Sequence, residues 1–186
     1  MKHPQEPVWQ PLARMRRGQI PEQVYCWLQD PASLTKRMQH ACDGQFRVNV
    51  MNQRWARPMH NEAQVLRMPI TQRGMTREVQ LLCGDMPWVF ARTIIPYKTL
   101  TGAERRLMHL RDKPLGAVLF ADSSMRRGPV EVVHLRSGDR LFKRATAGLK
   151  PRPRSIWGRR SVFYLREKPL LVSEIFLPRI IKCQCR

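Results

Sequence analysis

Residues 161–178, SVFYLREKPLLVSEIFLP, constrain the fold of this chain more than any other stretch. Apolar alternation on both sides of Arg166-Glu167-Lys168-Pro169 predicts two strands joined by a tight polar turn. A turn that short makes the strands antiparallel neighbours. Side chains two apart in a strand share a face, which sets Glu174 with Leu170, Val172 and Phe176. A carboxylate on an apolar face is poorly solvated, so its charged form is disfavoured and it suits proton transfer near neutral pH. A strand-edge position, or a pairing with an arginine such as Arg77 or Arg92, would give the same residue a purely structural role.

A second hairpin is predicted over 77–82 and 88–96, REVQLL and WVFARTIIP, around Cys83-Gly84-Asp85-Met86-Pro87. Arg77 shares a face with Val79 and Leu81, and Arg92 shares one with Trp88, Phe90 and Ile94. Residues 46–51 alternate as a further strand, whereas 52–75 read as polar and turn-rich. Helices are expected over 21–29 and 34–40, the latter capped by Ser33. Thr101-Gly-Ala-Glu104 is a capping-box pattern before another helix, and Pro114 opens a short apolar helical segment. Hairpins with helices inserted between them indicate a single α+β domain on an antiparallel sheet covered on one face. It spans 21–178, after an irregular segment 1–20 and before a tail 179–186.

The 186 residues suffice for one real core, and no run approaches the roughly 20 apolar residues of a membrane span. No signal-peptide pattern opens the sequence, so a cytoplasmic location is expected. Five cysteines without a C-x-x-C, in an odd number, are expected to be reduced thiols, and Cys183-x-Cys185 reads as part of the tail. The net charge of +20 admits nucleic-acid or anionic-surface binding. The excess is concentrated between Ala121 and Arg160, where eleven Lys/Arg face three Asp/Glu. Glycine, proline and the lack of interleaved aromatics there favour a solvated basic loop, over about 121–156, above a nucleic-acid groove. No dinucleotide-binding glycine motif, P-loop, nucleophile elbow or metal-ligand spacing occurs, and the five histidines are scattered. One acid and two arginines on sheet faces point to a site for a small carboxylate with a proton-transfer step, because arginine presents a planar fork to carboxylates.

Read together, SLTKR (33–37), REVQLLCGDMPWVFARTIIP (77–96), KPLGAVLF (113–120), WGRRS (157–161) and KPLLVSEIFLP (168–178) resemble the chorismate lyase family, in the family's order. The resemblance implies a six-stranded antiparallel sheet with helices on one side and a site enclosed beneath helical flaps. It implies conversion of chorismate to 4-hydroxybenzoate and pyruvate towards ubiquinone, without metal or organic cofactor, by a monomer with no obligate nucleic acid. Within it, Arg77 matches the residue gripping the ring carboxylate and Glu174 the acid near the oxygen at ring position four; these two are the expected catalytic residues. Leu34 and Leu115 match positions whose backbone N–H groups help hold the carboxylate, and Arg92 is expected near the enolpyruvyl carboxylate. Competing readings are a non-catalytic small-carboxylate sensor of the related effector-binding fold, and a basic nucleic-acid-binding protein. No helix-turn-helix is legible before the domain, and a fold alone does not decide function. The basic stretch before Trp157 looks longer than in compact family members and leaves room for a weak anionic-surface contact.

Overall fold

Alternating apolar runs form eight strands of one sheet in the computed structural model, which describes residues 5–42 and 45–182. The strands are β1 (Gln10–Pro11), β2 (Phe46–Ala56), β3 (Gly74–Cys83), β4 (Met86–Pro96), β5 (Arg126–Arg127), β6 (Glu131–Arg136), β7 (Ser155–Leu165) and β8 (Lys168–Phe176). Their order is β1-β6-β7-β8-β4-β3-β2, with β5 beside β7, and every strand pair is antiparallel. Six strands were expected and the sheet has eight; β1 and β5, two residues each, are among the eight. The hairpin β7–β8 closes on Leu165↔Lys168, so its turn is the two residues Arg166 and Glu167. Both have positive φ, 46° and 65°, the twist-matching geometry of a two-residue hairpin turn.

The helices are α1 (Glu22–Leu28), α2 (Leu34–Ala41), α3 (His60–Val65), α4 (Leu115–Phe120) and α5 (Arg140–Ala145). They cover both faces of the sheet, which corrects the expectation of one. On the front, Val24, Trp27, Leu34 and Met38 of α1 and α2 pack on Val79, Leu81 and Phe176, while Leu115 and Leu119 of α4 pack on Phe163, Leu170 and Val172. On the back, Leu141 and Phe142 of α5 pack on Phe90 and Ile175, and Ala63 of α3 packs with Ile94 and Leu171. The reason is strand alternation: buried residues of both parities leave apolar surface on both faces.

Other expectations shift in the same way. The basic stretch is not a loop, because β6 and α5 lie within it and bury Val132, Val133, Leu135, Leu141 and Phe142 between its charges. Glu104 does not close a capping box on Thr101; the following turn is a 3-10 helix, Gly102–His109, and Glu104 bonds Lys168 and Arg166. Trp9 and the buried Ile180 bring the flanking segments onto the core. Cys42 and Cys83 are disulfide-bonded rather than reduced, with Cα atoms 5.3 Å apart. Cys42 ends α2 and Cys83 pairs with Phe46 at the start of β2, which brings the two together. The Cys183-x-Cys185 motif lies outside the described residues. No helix among the described residues is long and apolar enough to cross a membrane.

Candidate active site

The register of the sheet builds the site. On the front face, Arg77 of β3 lies opposite Thr93 of β4, which lies opposite Val172 of β8 and then Ser161 of β7. One two-residue step along, the next row reads Val79, Ala91, Glu174 and Arg159. Arg77 and Glu174 are therefore separated by two strand spacings and one step, roughly 12 Å between Cα atoms. Side chains reaching inward from those positions face one another across a small ring.

Two helix starts roof this floor. Leu34 and Thr35 open α2, where the Ser33 hydroxyl accepts a hydrogen bond from Lys36 N–H at 3.4 Å. Pro114, Leu115 and Gly116 open α4. First-turn N–H groups have no partner within their own helix and so favour an anion. The two starts touch at Gly116, where an added Cβ would stand 2.6 Å from Thr35 Oγ1. Gly116→Ala is therefore expected to cost about 1–3 kcal/mol by overpacking. Its denaturation midpoint should return towards the parent's when Thr35→Ala is added, and an unshifted single variant would refute the tight contact.

Together these elements form a cavity lined by Leu34, Arg77, Leu115 and Glu174 among others. Four of the five residues singled out from the sequence thus meet in one cavity. Arg92 does not. Its side chain points to the back face, where it donates to Glu62 at 2.7 and 2.9 Å and to Glu78 at 2.7 Å. Arg77 and Arg92 were each read as inward, and each is; strand alternation and the pairings Arg77↔Thr93 and Glu78↔Arg92 set them on opposite faces.

Arg77 is only 2% exposed. Its Nη2 donates to the carbonyls of Arg111 at 2.9 Å and Lys113 at 3.2 Å, which holds the turn leading into α4. Its Nε has no partner, and no acid among the described residues pairs with it. Burial pushes its guanidinium below the ordinary arginine value. A buried donor of this kind calls for an explanation, and an anion in the cavity supplies one.

Two further cations line the cavity that sequence reading did not single out, Arg127 and Arg159. Arg159 Nε donates to Glu174 Oε2 at 2.6 Å, and its Nη1 donates to the carbonyls of Trp27 at 2.8 Å and Asp30 at 2.6 Å. It thereby ties the end of α1 to the acid. Glu174 is thus an ion-paired carboxylate rather than an isolated one. Arg127 Nε donates to Ser161 Oγ at 3.1 Å, and its Nη1 to the carbonyls of Asp30 and Pro31. Among the described residues, no three of His, Cys, Asp and Glu gather as a metal site.

Comparison with known proteins places the chain in a family. The sequence model of the family described as Chorismate lyase matches residues 3–185. The chain belongs to the chorismate lyase family. A protein of Aromatoleum aromaticum named "Probable chorismate pyruvate-lyase" is 41% identical over 181 residues, 96% of each chain. A protein of the same name from Methylococcus capsulatus is 38% identical over 155 residues, 83% of this chain and 94% of that one. Among solved structures, PhnF from Mycobacterium smegmatis aligns with a TM-score of 0.56 at 11% identity, over 81% of this chain and 66% of that one. A GntR-family transcriptional regulator from Bacillus cereus aligns at 0.53 and 14% identity, over 73% and 93%. These structural likenesses show the fold of the chorismate lyase family member and no more.

Proposed function

We propose that this protein is a chorismate pyruvate-lyase, releasing 4-hydroxybenzoate and pyruvate without a cofactor, as a cytoplasmic monomer that supplies a ring acid to ubiquinone synthesis. The observation that carries the reading is the buried, acid-free Arg77 with its unbonded Nε, set across an enclosed cavity from Glu174. On this reading an anionic ring lies between them. Arg77 takes the ring carboxylate, and the first-turn N–H groups of Leu34 and Leu115 complete its shell. The ring oxygen at position four then faces Glu174.

In the reaction the C–O bond to the side chain breaks, the neighbouring ring carbon loses hydrogen, and the side chain's methylene carbon gains one. The ring becomes aromatic, so the step is strongly downhill. The protein's part is to hold the dianion in a reactive pose away from water, where each charged contact is strengthened. Glu174 assists by hydrogen bonding or proton transfer at the substrate's oxygens, with Arg159 fixing its direction.

Incubation with chorismate in EDTA, with both products followed by chromatography, tests the reading. Equal formation of 4-hydroxybenzoate and pyruvate is expected. Binding of 4-hydroxybenzoate without turnover would instead favour a sensor. Glu174→Gln is expected to lower kcat by about 100-fold, the scale of acid–base assistance, with product affinity changed far less. A fully active Gln variant would remove the acid from the chemistry.

A further inference from the structure

Chorismate carries two carboxylates, and the reading above accounts for one. Four charged side chains line the cavity: Arg77, Arg127, Arg159 and Glu174. Arg159 is committed to Glu174 through its Nε and to main-chain carbonyls through its Nη1. That leaves two cations, Arg77 and Arg127, with no salt bridge to an acid among the described residues. A net charge of two positive units inside an enclosed space matches a dicarboxylate.

The placement of Arg127 fits a second anchor. Its Nε is fixed on Ser161 Oγ and its Nη1 on the loop carbonyls of Asp30 and Pro31. Its Nη2 bonds no protein group among the described residues. Ser161 lies in the same row of the sheet as Arg77, three strands away, with Thr93 and Val172 between them as uncharged floor. The Arg77 backbone and Ser161, which holds the Arg127 guanidinium, thus lie roughly 14 Å apart along one row of the sheet, and both arginines line the cavity above it. Burial, and then the neighbouring Arg159 charge, push the Arg127 guanidinium down from its ordinary value, while the Glu174 and Asp30 carboxylates partly oppose that shift, and a bound anion would oppose it further.

We propose that Arg127 binds the carboxylate of the enolpyruvyl side chain, so that the cavity is a two-arginine dicarboxylate site in which Arg77 and Arg127 divide the substrate's charges. This rests on the lyase reading and replaces Arg92, which the back-face acids hold away from the cavity. Arg127 distinguishes substrate from ring product, because 4-hydroxybenzoate has no second carboxylate.

The test compares chorismate turnover with 4-hydroxybenzoate binding in the parent and in Arg127→Gln. The expected result is a rise of about 100-fold in KM for chorismate, with the Kd for 4-hydroxybenzoate unchanged within about twofold. Equal weakening of both ligands would make Arg127 an architectural residue and overturn the proposal, as would no effect on either. If the Gln variant does not fold, Arg127→Lys carries the test. Its charge remains without the planar fork, so KM should rise about tenfold with product binding again unchanged. Equal effects on the two ligands, or none, again overturn it. A parent protein that turns over no chorismate fails at the earlier step, and that result is visible before any Arg127 variant is made.

Discussion

Arg77→Met is expected to be at least as stable as the parent without ligand, yet to bind 4-hydroxybenzoate about 100-fold more weakly. The affinity loss corresponds to about 3 kcal/mol, the scale of hydrogen bonds to a desolvated charge. The stability expectation follows from what the empty site contains. Arg77 is buried without an acid, and its Nε bonds nothing. Holding such a cation out of water works against folding, and methionine fills similar space without charge. The two carbonyl bonds lost, to Arg111 and Lys113, contribute only about 1 kcal/mol each. Denaturant midpoints and calorimetric binding, measured on the same two proteins, decide the matter. A variant that unfolds several kcal/mol sooner with its ligand affinity intact would show that Arg77 is a structural bolt. A residue that weakens the fold while serving the ligand is the usual mark of a binding site.

Arg92→Met should behave in the opposite way, losing about 3–5 kcal/mol of stability while each folded molecule keeps its ligand affinity. Arg92 sits between Glu62, 1% exposed, and Glu78, both buried on the back face. Glu62 also accepts from the Met59 N–H at the start of α3, and Glu78 accepts from Arg144 of α5. Removing the central cation strands two buried carboxylates and loosens both back-face helices. For a chain of this size the loss amounts to a fall in Tm of roughly 10 °C. The network also has a pH signature. Burial opposes ionisation of Glu78, yet Arg92 and Arg144 together hold its carboxyl below its ordinary value. A depressed folded-state value means stability that is in place above the usual carboxylate range and is lost as pH falls through the folded value. Stability of the parent should therefore drop on acidification through that window, and Arg92→Met should show a shallower slope there. Parallel curves for the two proteins would exclude the pairing as the source.

How far the sequence foretold this site depends on the residue. The strands of both hairpins were legible as apolar runs bracketing a polar turn, and the period of two told which residues share a face with Arg77 and with Glu174, though not which face of the Glu174 strand is the cavity's. Arg159 was not, for a reason of register. A four-residue turn from Arg166 to Pro169 pairs Leu165 with Leu170 and places Ser161 beside Glu174. The actual two-residue turn pairs Leu165 with Lys168 and places Arg159 there. Nothing in the composition of REKP announces that Arg166 and Glu167 both adopt positive φ, a conformation commoner in glycine and asparagine. Helix α3 escaped notice because six residues, HNEAQV, carry too few apolar side chains to show a period; only tertiary contact with Ile94 and Leu171 makes it worth forming. The basic stretch misled by its charges, since Arg127 and Arg144 are spent on the cavity and on Glu78 rather than on solvent.

Placing ionic residues on both faces of one sheet has a consequence for how the chain finds its fold. A strand that pairs one residue out of step turns every side chain over. In β3 and β4 such a slip would send Glu78 and Arg92 into the cavity and lift Arg77 to the back, among carboxylates arranged for a different partner. In β7 and β8 it would part Arg159 from Glu174 and bury both alone. Mispaired sheets with apolar residues alone would lose some packing; here they would bury several unmatched charges, each at a cost of kcal/mol. The charged rows act as a ruler for assembly, so that the alignment needed for the cavity is also the only one in which the back of the sheet is electrically satisfied.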